Sequence, residues 1–486
     1  MSKLKVLPLV VGLSVASQAA NAADLMSVAQ DALLNNASLL GDKATLNASK
    51  ANVDVNRGAL LPQVTGTASV TRYHTSNSER SGTSYRATNE VAAATLAGIK
   101  TSGGSSGKNY NENSVQVQAT QSLFDATNWY NLKYAQRQAA QQALNYANNR
   151  QTLLYSVANA YFTVLRDKEV LDTDRAAEAA TKRQLDQVRQ QFEVGTVAAT
   201  DVREAEASYD TDRAARISQE SVLTVAFESL EQLTGKQYPS IDKLSEDLPI
   251  KPPEPSNRQA WLEMGNSRNL ALQAARKGID ASRAEVAIAE AGHLPTVEAV
   301  VSWDRTNSNR TRGFSNGYSA GLQASVPIYS GGSTSAQVRA NTYSLESSQY
   351  SAEDELRSVV QNINSYFAQS TNNVYTVNAQ KRAVESSLSS LKATREGYAA
   401  GTRTILDVLN SQNSYYSALQ SYASSRYDYV LNMLKLRQYA GVLDVGTLQS
   451  LNNWLVKDNN PVRLDGKGET TENVGNANIN LNGLGQ

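Results

Sequence analysis

The sequence predicts a mixed fold, a β-barrel joined to long α-helical coiled coils, with one plan laid out twice in tandem along each chain. Three observations predict it. The chain repeats its own punctuation: Leu61-Pro62-Gln63-Val64 returns as Leu294-Pro295-Thr296-Val297, and Gly195-Thr196 returns as Gly401-Thr402. Each of those glycines is followed by a second, Gly235 or Gly441, after a run free of Gly and Pro. Two long windows, Lys108–Val194 and Ser333–Glu396, also contain neither residue. Ahead of each stretch of helix formers, apolar and polar residues alternate strictly.

Taken in order, the N-terminus carries Lys3 and Lys5, an apolar stretch from Val6 to Ala16, and Ala20-Asn21-Ala22 before Ala23. That pattern predicts a signal peptide at 1–22 and export of the chain. An uncleaved anchor would need an apolar core of ~20 residues, which this stretch lacks. A helix is expected over Met26–Ala59, up to the first Leu-Pro-x-Val.

Next come period-two stretches: Gly66-Thr-Ala68-Ser-Val70-Thr and Val115-Gln-Val117-Gln-Ala119, answered in the second half by Val297-Glu-Ala299-Val-Val301 and Leu322-Gln-Ala324-Ser-Val326. Alternation of this kind marks a strand with one apolar and one polar face. Polar loops rich in Ser, Asn, Gly and Thr join each pair, over about 75–112 and about 306–316. Strands of ~10 residues with this alternation are the unit of an outer-membrane barrel. Four of them cannot close one, because the smallest such barrels use about eight strands. Two copies would supply eight, and three would supply 12 with room for a channel.

Most of each Gly- and Pro-free window reads as helix. Apolar residues at Leu153, Val157, Ala160, Val164 and Leu171, and at Leu356, Val359, Ile363, Tyr366, Val374 and Val377, step by three and four along a coiled-coil seam. A helix over Ala126–Val194 would run on the order of 100 Å. Its partner is expected over Thr200–Leu233, and the second hairpin closes with Thr404–Tyr439. Glycine at each turn suits a helix C′ position, where φ is positive.

Pro239, Pro249, Pro252, Pro253 and Pro255 mark an irregular connector, followed by a helix over Gln259–Ala291. The chain thus divides into a signal peptide at 1–22, a first repeat at 23–235, a connector at 236–258, a second repeat at 259–441, a C-terminal segment at 442–456, and an Asn- and Gly-rich tail at 457–486 expected to be disordered.

Composition excludes several classes. There are 46 basic and 46 acidic residues and no basic run of the kind nucleic-acid binding needs. With 0 Cys there is neither a disulfide framework nor a lipidated N-terminal cysteine. No window after the signal reaches 18 consecutive apolar residues, so any membrane crossing must use strands. His74 and His293 are the only histidines, which leaves a metal cluster almost nothing to build from. Neither sits by a Gly-x-Ser-x-Gly elbow, so no enzyme and no cofactor is expected.

The signal peptide, the two strand-pair-plus-hairpin repeats, Leu-Pro-x-Val at both helix-to-strand junctions, and Pro327-Ile328-Tyr329-Ser330-Gly331-Gly332 together resemble the TolC family of outer-membrane exit ducts. The likeness covers about Asp24 to Leu455 and is most specific over Gly397–Leu409, Gly-Tyr-Ala-Ala-Gly-Thr-Arg-Thr-Ile-Leu-Asp-Val-Leu. It implies a homotrimer with a 12-stranded β-barrel in the outer membrane and a 12-helix α-barrel crossing the periplasm. An equatorial belt would come from the connector and C-terminal segments. It also implies a periplasmic adaptor and an inner-membrane transporter of the RND, MFS or ABC class as partners, and drugs, detergents or unfolded proteins as cargo. A non-channel exported coiled-coil spacer or adhesin is the rival reading, though it would need neither paired strands nor loops of unequal length.

The resemblance further implies a gate at the hairpin tips. The Tyr398 hydroxyl and the Arg403 guanidinium would bond Asp201, with Arg403 also reaching Thr200 on a neighbouring coil. Single exposed ion pairs contribute only ~0–1 kcal/mol, so such links suit a latch that a docking partner overturns. Asp407, about two turns past the tip, would give a trimer one ring of carboxylates at a constriction; Asn410 stands where the best-known family pattern has a second acidic ring. Gly195, Val197, Gly401 and Thr404 are the expected adaptor-docking tips.

Overall fold

A computed structural model describes residues 22–75, 108–309, 313–456 and 462–463. Its elements are α1 (Leu25–Asn35), α2 (Ala37–Gly58), β1 (Gln63–Thr75), β2 (Lys108–Phe124), α3 (Ala126–Glu193), α4 (Ala199–Thr234), β3 (Ser240–Ile241), β4 (Lys243–Leu244), α5 (Arg258–Arg268), α6 (Leu270–Ala291), β5 (Thr296–Ser308), β6 (Phe314–Ser325), α7 (Ser333–Ala399), α8 (Ile405–Tyr439), α9 (Val445–Asn452), β7 (Leu455–Val456) and β8 (Val462–Arg463). Most of the signal peptide, most of the first polar loop and most of the tail lie outside the described residues. The chain forms two compact units, one of residues 49–139 and 279–348, the other of the remainder.

The smaller unit is built on one antiparallel sheet in the order β1-β2-β5-β6. Both strand pairs extend past the alternating stretches that predict them, so the loops are shorter than expected: β2 starts at Lys108, β5 runs to Ser308 and β6 starts at Phe314. The register aligns like with like. Val64 faces Ala119, Ala119 faces Val301 and Val301 faces Ala320; one step along, Val117 faces Trp303 and Trp303 faces Tyr318. Direct cross-strand neighbours share a face, so one surface is apolar across all four strands in these two rows, with Gln121, Arg305 and Asn113 on the same face in the flanking rows. The other carries Thr65, Thr67, Gln116, Gln118, Ser302 and Ser319, with Val300 as an exception. Its hydroxyls pair across strands, Ser69 with Ser114 at 2.8 Å and Ser302 with Ser319 at 2.7 Å. In the same unit, Arg137 of α3 donates to the Asp280 carbonyl of α6 at 2.7 Å, and Asn341 of α7 donates to the Glu285 carbonyl at 3.0 Å.

The larger unit holds the coiled coils. The seam positions Leu153, Val157, Ala160, Val164 and Leu171 are all buried, as are Val359, Ile363 and Val377. Around the first series and Val377 gather Leu25 and Val28 of α1, Leu223, Phe227 and Leu230 of α4, and Tyr427, Val430 and Leu434 of α8, while Val359 and Ile363 pack with Trp261, Leu272 and Leu436 in a second cluster. Burying a large aliphatic or aromatic side chain contributes ~1.5–3 kcal/mol, so the seam is a principal source of helix stability.

Each expected leading helix is broken once, and by the same device. Met26–Ala59 divides at Asn36 and Gln259–Ala291 at Asn269. The Asn36 carboxamide accepts from the Leu39 N–H at 3.0 Å and donates to the Leu233 carbonyl at 3.0 Å. Asn269 accepts from the Leu272 N–H and donates to the Tyr439 carbonyl, both at 2.9 Å. One side chain thus caps a new helix start and satisfies an orphan carbonyl at the end of α4 or α8.

The connector is more ordered than its prolines suggest. β3 pairs with β8 and β4 with β7, and Val462, read from composition as part of a disordered tail, is buried. Ala23 forms a parallel bridge to Ile241; its N–H donates to the Ser240 carbonyl at 3.0 Å and its carbonyl accepts from the buried Tyr161 hydroxyl at 3.1 Å. Asn452 of α9 ties in the same segment, accepting from the Met26 N–H at 3.1 Å and donating to Asp24 at 3.0 Å. Among the described residues, no helix is long and apolar enough to cross a membrane.

Candidate functional site at the hairpin tips

Both hairpin turns use one backbone construction. At the end of α3, the Gly195 N–H bonds the Phe192 carbonyl at 2.9 Å and the Thr196 N–H bonds the Gln191 carbonyl at 2.9 Å. At the end of α7, Gly401 bonds the Tyr398 carbonyl at 3.0 Å and Thr402 bonds the Gly397 carbonyl at 2.8 Å. This is the Schellman arrangement, with glycine at φ 78° and 74° where a Cβ would be strained.

The turns match residue for residue in backbone state, so their differences are informative. Val197 corresponds to Arg403, Gln191 to Gly397, Ala198 to Thr404, Thr200 to Leu406 and Asp201 to Asp407. Gly397 has a steric reason: a Cβ there would lie 2.8 Å from Arg403 Cγ.

Asp201 and Asp407 are each the third residue of their helix. The Asp407 carboxylate accepts from the Thr404 N–H and hydroxyl, both at 2.9 Å, while the Thr404 hydroxyl accepts from the Asp407 N–H at 3.2 Å. That reciprocal box is complete. Asp407 therefore sits in the first turn of α8, closer to the tip than the expected two helical turns, because Gly401–Arg403 is turn. The bond from the Thr404 N–H first, and that from its hydroxyl second, hold the Asp407 carboxyl below the usual carboxylate range. The Asp201 carboxylate accepts from the Ala198 N–H at 3.2 Å, but Ala198 has no side-chain oxygen, so the Asp201 N–H bonds the Ala198 carbonyl at 3.1 Å instead. Asn410 is exposed one turn on.

Within one chain the Tyr398 hydroxyl donates to Gln191 at 2.8 Å, where the resemblance implies Asp201. Asp201 acts on Tyr398 through space: burial first and the Asp201 charge second raise the phenol above its ordinary value, and the Gln191 bond opposes them. Gln191 is a tip residue that sequence reasoning misses, since a glutamine among helix formers carries no periodic or motif signal. Thr200, the second residue of α4, and Arg403, on the turn, are both exposed. Tyr398, Val197 and Val202 pack on a small core of Val188, Ile405, Val408 and Leu409, which joins the two tips of the chain. His74 lies on β1, its Nδ1 2.6 Å from the Asn109 side-chain oxygen. Among the described residues no cluster of potential metal ligands occurs.

An antiparallel sheet with one apolar face, two paired helical hairpins and polar tips define a channel-forming outer-membrane protein, and the chain belongs to the outer membrane efflux protein family, which it matches over residues 28–236 and 261–442. The match is interrupted at the proline-rich connector. Among individual relatives it is 36% identical to Outer membrane protein TolC of Escherichia coli (strain K12), over 93% of this chain and 90% of that protein. It is 30% identical to the alkaline protease secretion protein AprF of Pseudomonas aeruginosa, over 71% of this chain and 72% of that protein. The fold is shared with the outer membrane protein VceC of Vibrio cholerae at a TM-score of 0.71 and 18% identity, over 86% of this chain and 96% of that one. The CmeC outer membrane channel of Campylobacter jejuni gives 0.72 at 14% identity, over 89% and 90%. Family and fold are those of channels rather than enzymes.

Proposed function

We propose that the protein is a homotrimeric exit duct, with a 12-stranded barrel in the outer membrane and a 12-helix barrel in the periplasm. A periplasmic adaptor and an inner-membrane RND, MFS or ABC transporter would dock it, and drugs, detergents and unfolded proteins would leave through it. The observation that carries this reading is the two-faced sheet. Its edge strands β1 and β6 have no second neighbour among the described residues, and its apolar face leaves Val64, Val70, Tyr318 and Leu322 between 69% and 83% exposed in a single chain. Edges left open aggregate unless another copy completes them, and an apolar exterior over a polar interior suits lipid outside and water within.

In this reading Tyr398, Arg403, Thr200 and Asp201 form the latch, with Gln191 seating Tyr398 inside its own chain and Arg403 reaching the neighbouring copy. Asp407 supplies the single charge ring, and Gly195, Val197, Gly401 and Thr404 face the adaptor. Tyr398→Phe combined with Arg403→Ser should raise the single-channel conductance of the purified trimer in a planar bilayer severalfold. An unchanged conductance would remove these residues from the gate.

A further inference from the structure

We propose that the two hairpin tips of each chain together form one binding site for a carboxylate group. Between the ends of α3 and α7 lies a cavity of about 740 Å³ in which Arg183, Arg395 and Arg403 all line the wall, together with Gln184, Gln191 and Tyr398. Among the described residues that line it there is no Asp or Glu. Asp201 and Asp407, which do not line it, act on Tyr398 and Arg403 respectively, so the cavity wall itself offers three planar donor forks and no acceptor carboxylate, a lining that suits an oxyanion.

A second observation points the same way. Gln184 is only 9% exposed, and its amide nitrogen, shut off from solvent, has no hydrogen-bond partner among the described residues. A buried donor without a partner is costly, and this one belongs to a side chain in the cavity wall. Arg395 is held by a 3.1 Å bond to the carboxamide oxygen of the buried Gln412, so one fork of the site is oriented before any ligand arrives. Chloride offers no bidentate geometry, and a carboxylate does.

The carboxylate has two sources, an acidic side chain of a docking protein or a free organic acid. The duct reading supplies the biological setting only, since binding is measured without a membrane. Citrate titrated into the detergent-solubilised full-length protein at fixed ionic strength should give saturable heat with a millimolar or tighter Kd. Arg183→Gln with Arg395→Gln, which leaves Arg403 in place, should weaken it at least tenfold. Gln184→Leu should weaken it about threefold while leaving the thermal midpoint unchanged or raised, which a purely structural glutamine would not do. Displacement of citrate by hexaglutamate assigns the site to a protein side chain, and its absence assigns it to a free acid. No saturable heat, or citrate affinity that survives the double arginine substitution, overturns the proposal. A protein that binds citrate yet conducts nothing would sink the duct and leave the site standing.

Discussion

Asp201 and Asp407 hold the same place in the two repeats, but their neighbours give them different work. Asp407 is fastened by two bonds from Thr404, whereas Asp201 has one from Ala198 and stands close enough to Tyr398 to raise its phenol. In a trimer the three Asp407 carboxylates would push one another's pKa upward, and the Thr404 bonds oppose that. A group held ionised in this way keeps its charge above its own pKa and loses it only as pH falls through a value below the ordinary ~3.9. Weak block of the open duct by a trivalent cation should therefore persist from pH 7 to about pH 5, and should vanish in Asp407→Asn. Block unaffected by that substitution would take Asp407 out of the pore. Thr-x-x-Asp after a turn glycine is a capping pattern, and it is the signal that corrects the expectation of Asp407 two turns past the tip. The part played by Gln191 is not legible in the sequence, because it depends on where Tyr398 arrives from 207 residues away.

At the scale of elements, the long helices are announced by missing glycine and proline together with three-and-four stepping, and the turns by glycine. What the sequence conceals is where a continuous helical pattern breaks. Asn36 and Asn269 are neither proline nor glycine; each breaks its helix because a distant carbonyl, of Leu233 or Tyr439, takes up its amide. Tertiary structure sets that choice, so local propensity misses it. The caps themselves yield a paired expectation. Ala198 has the extended backbone of an N-cap, φ −85° and ψ 159°, without a side chain to use it. Ala198→Thr should stabilise the protein by about 1 kcal/mol and Thr404→Ala should cost about 1 kcal/mol, both read from denaturant midpoints. Equal and negligible shifts would mean that fraying at the tips is invisible to global unfolding.

For the whole molecule, strand alternation is enough to demand closure by other copies, but the sequence alone leaves eight and 12 strands equally open. The register adds that strands from different repeats, β2 and β5, sit side by side, so each chain supplies one continuous arc. Cysteine pairs scanned along β1 and β6 should crosslink between copies and give a ladder ending at the covalent trimer. A ladder stopping at two, or running on past three, would rule out the 12-stranded ring.

The anchoring of Ala23 and Met26 also sets a timetable. Met26 is tied to Asn452 across 426 residues, and Ala23 to Ser240 and Tyr161. At ~5–20 residues per second of synthesis, Ala23 and Met26 leave the ribosome on the order of a minute before Asn452, the last of these partners, exists. The larger unit can be finished only after the chain is nearly complete, so the newborn protein spends that interval as an unfinished chain in need of an escort.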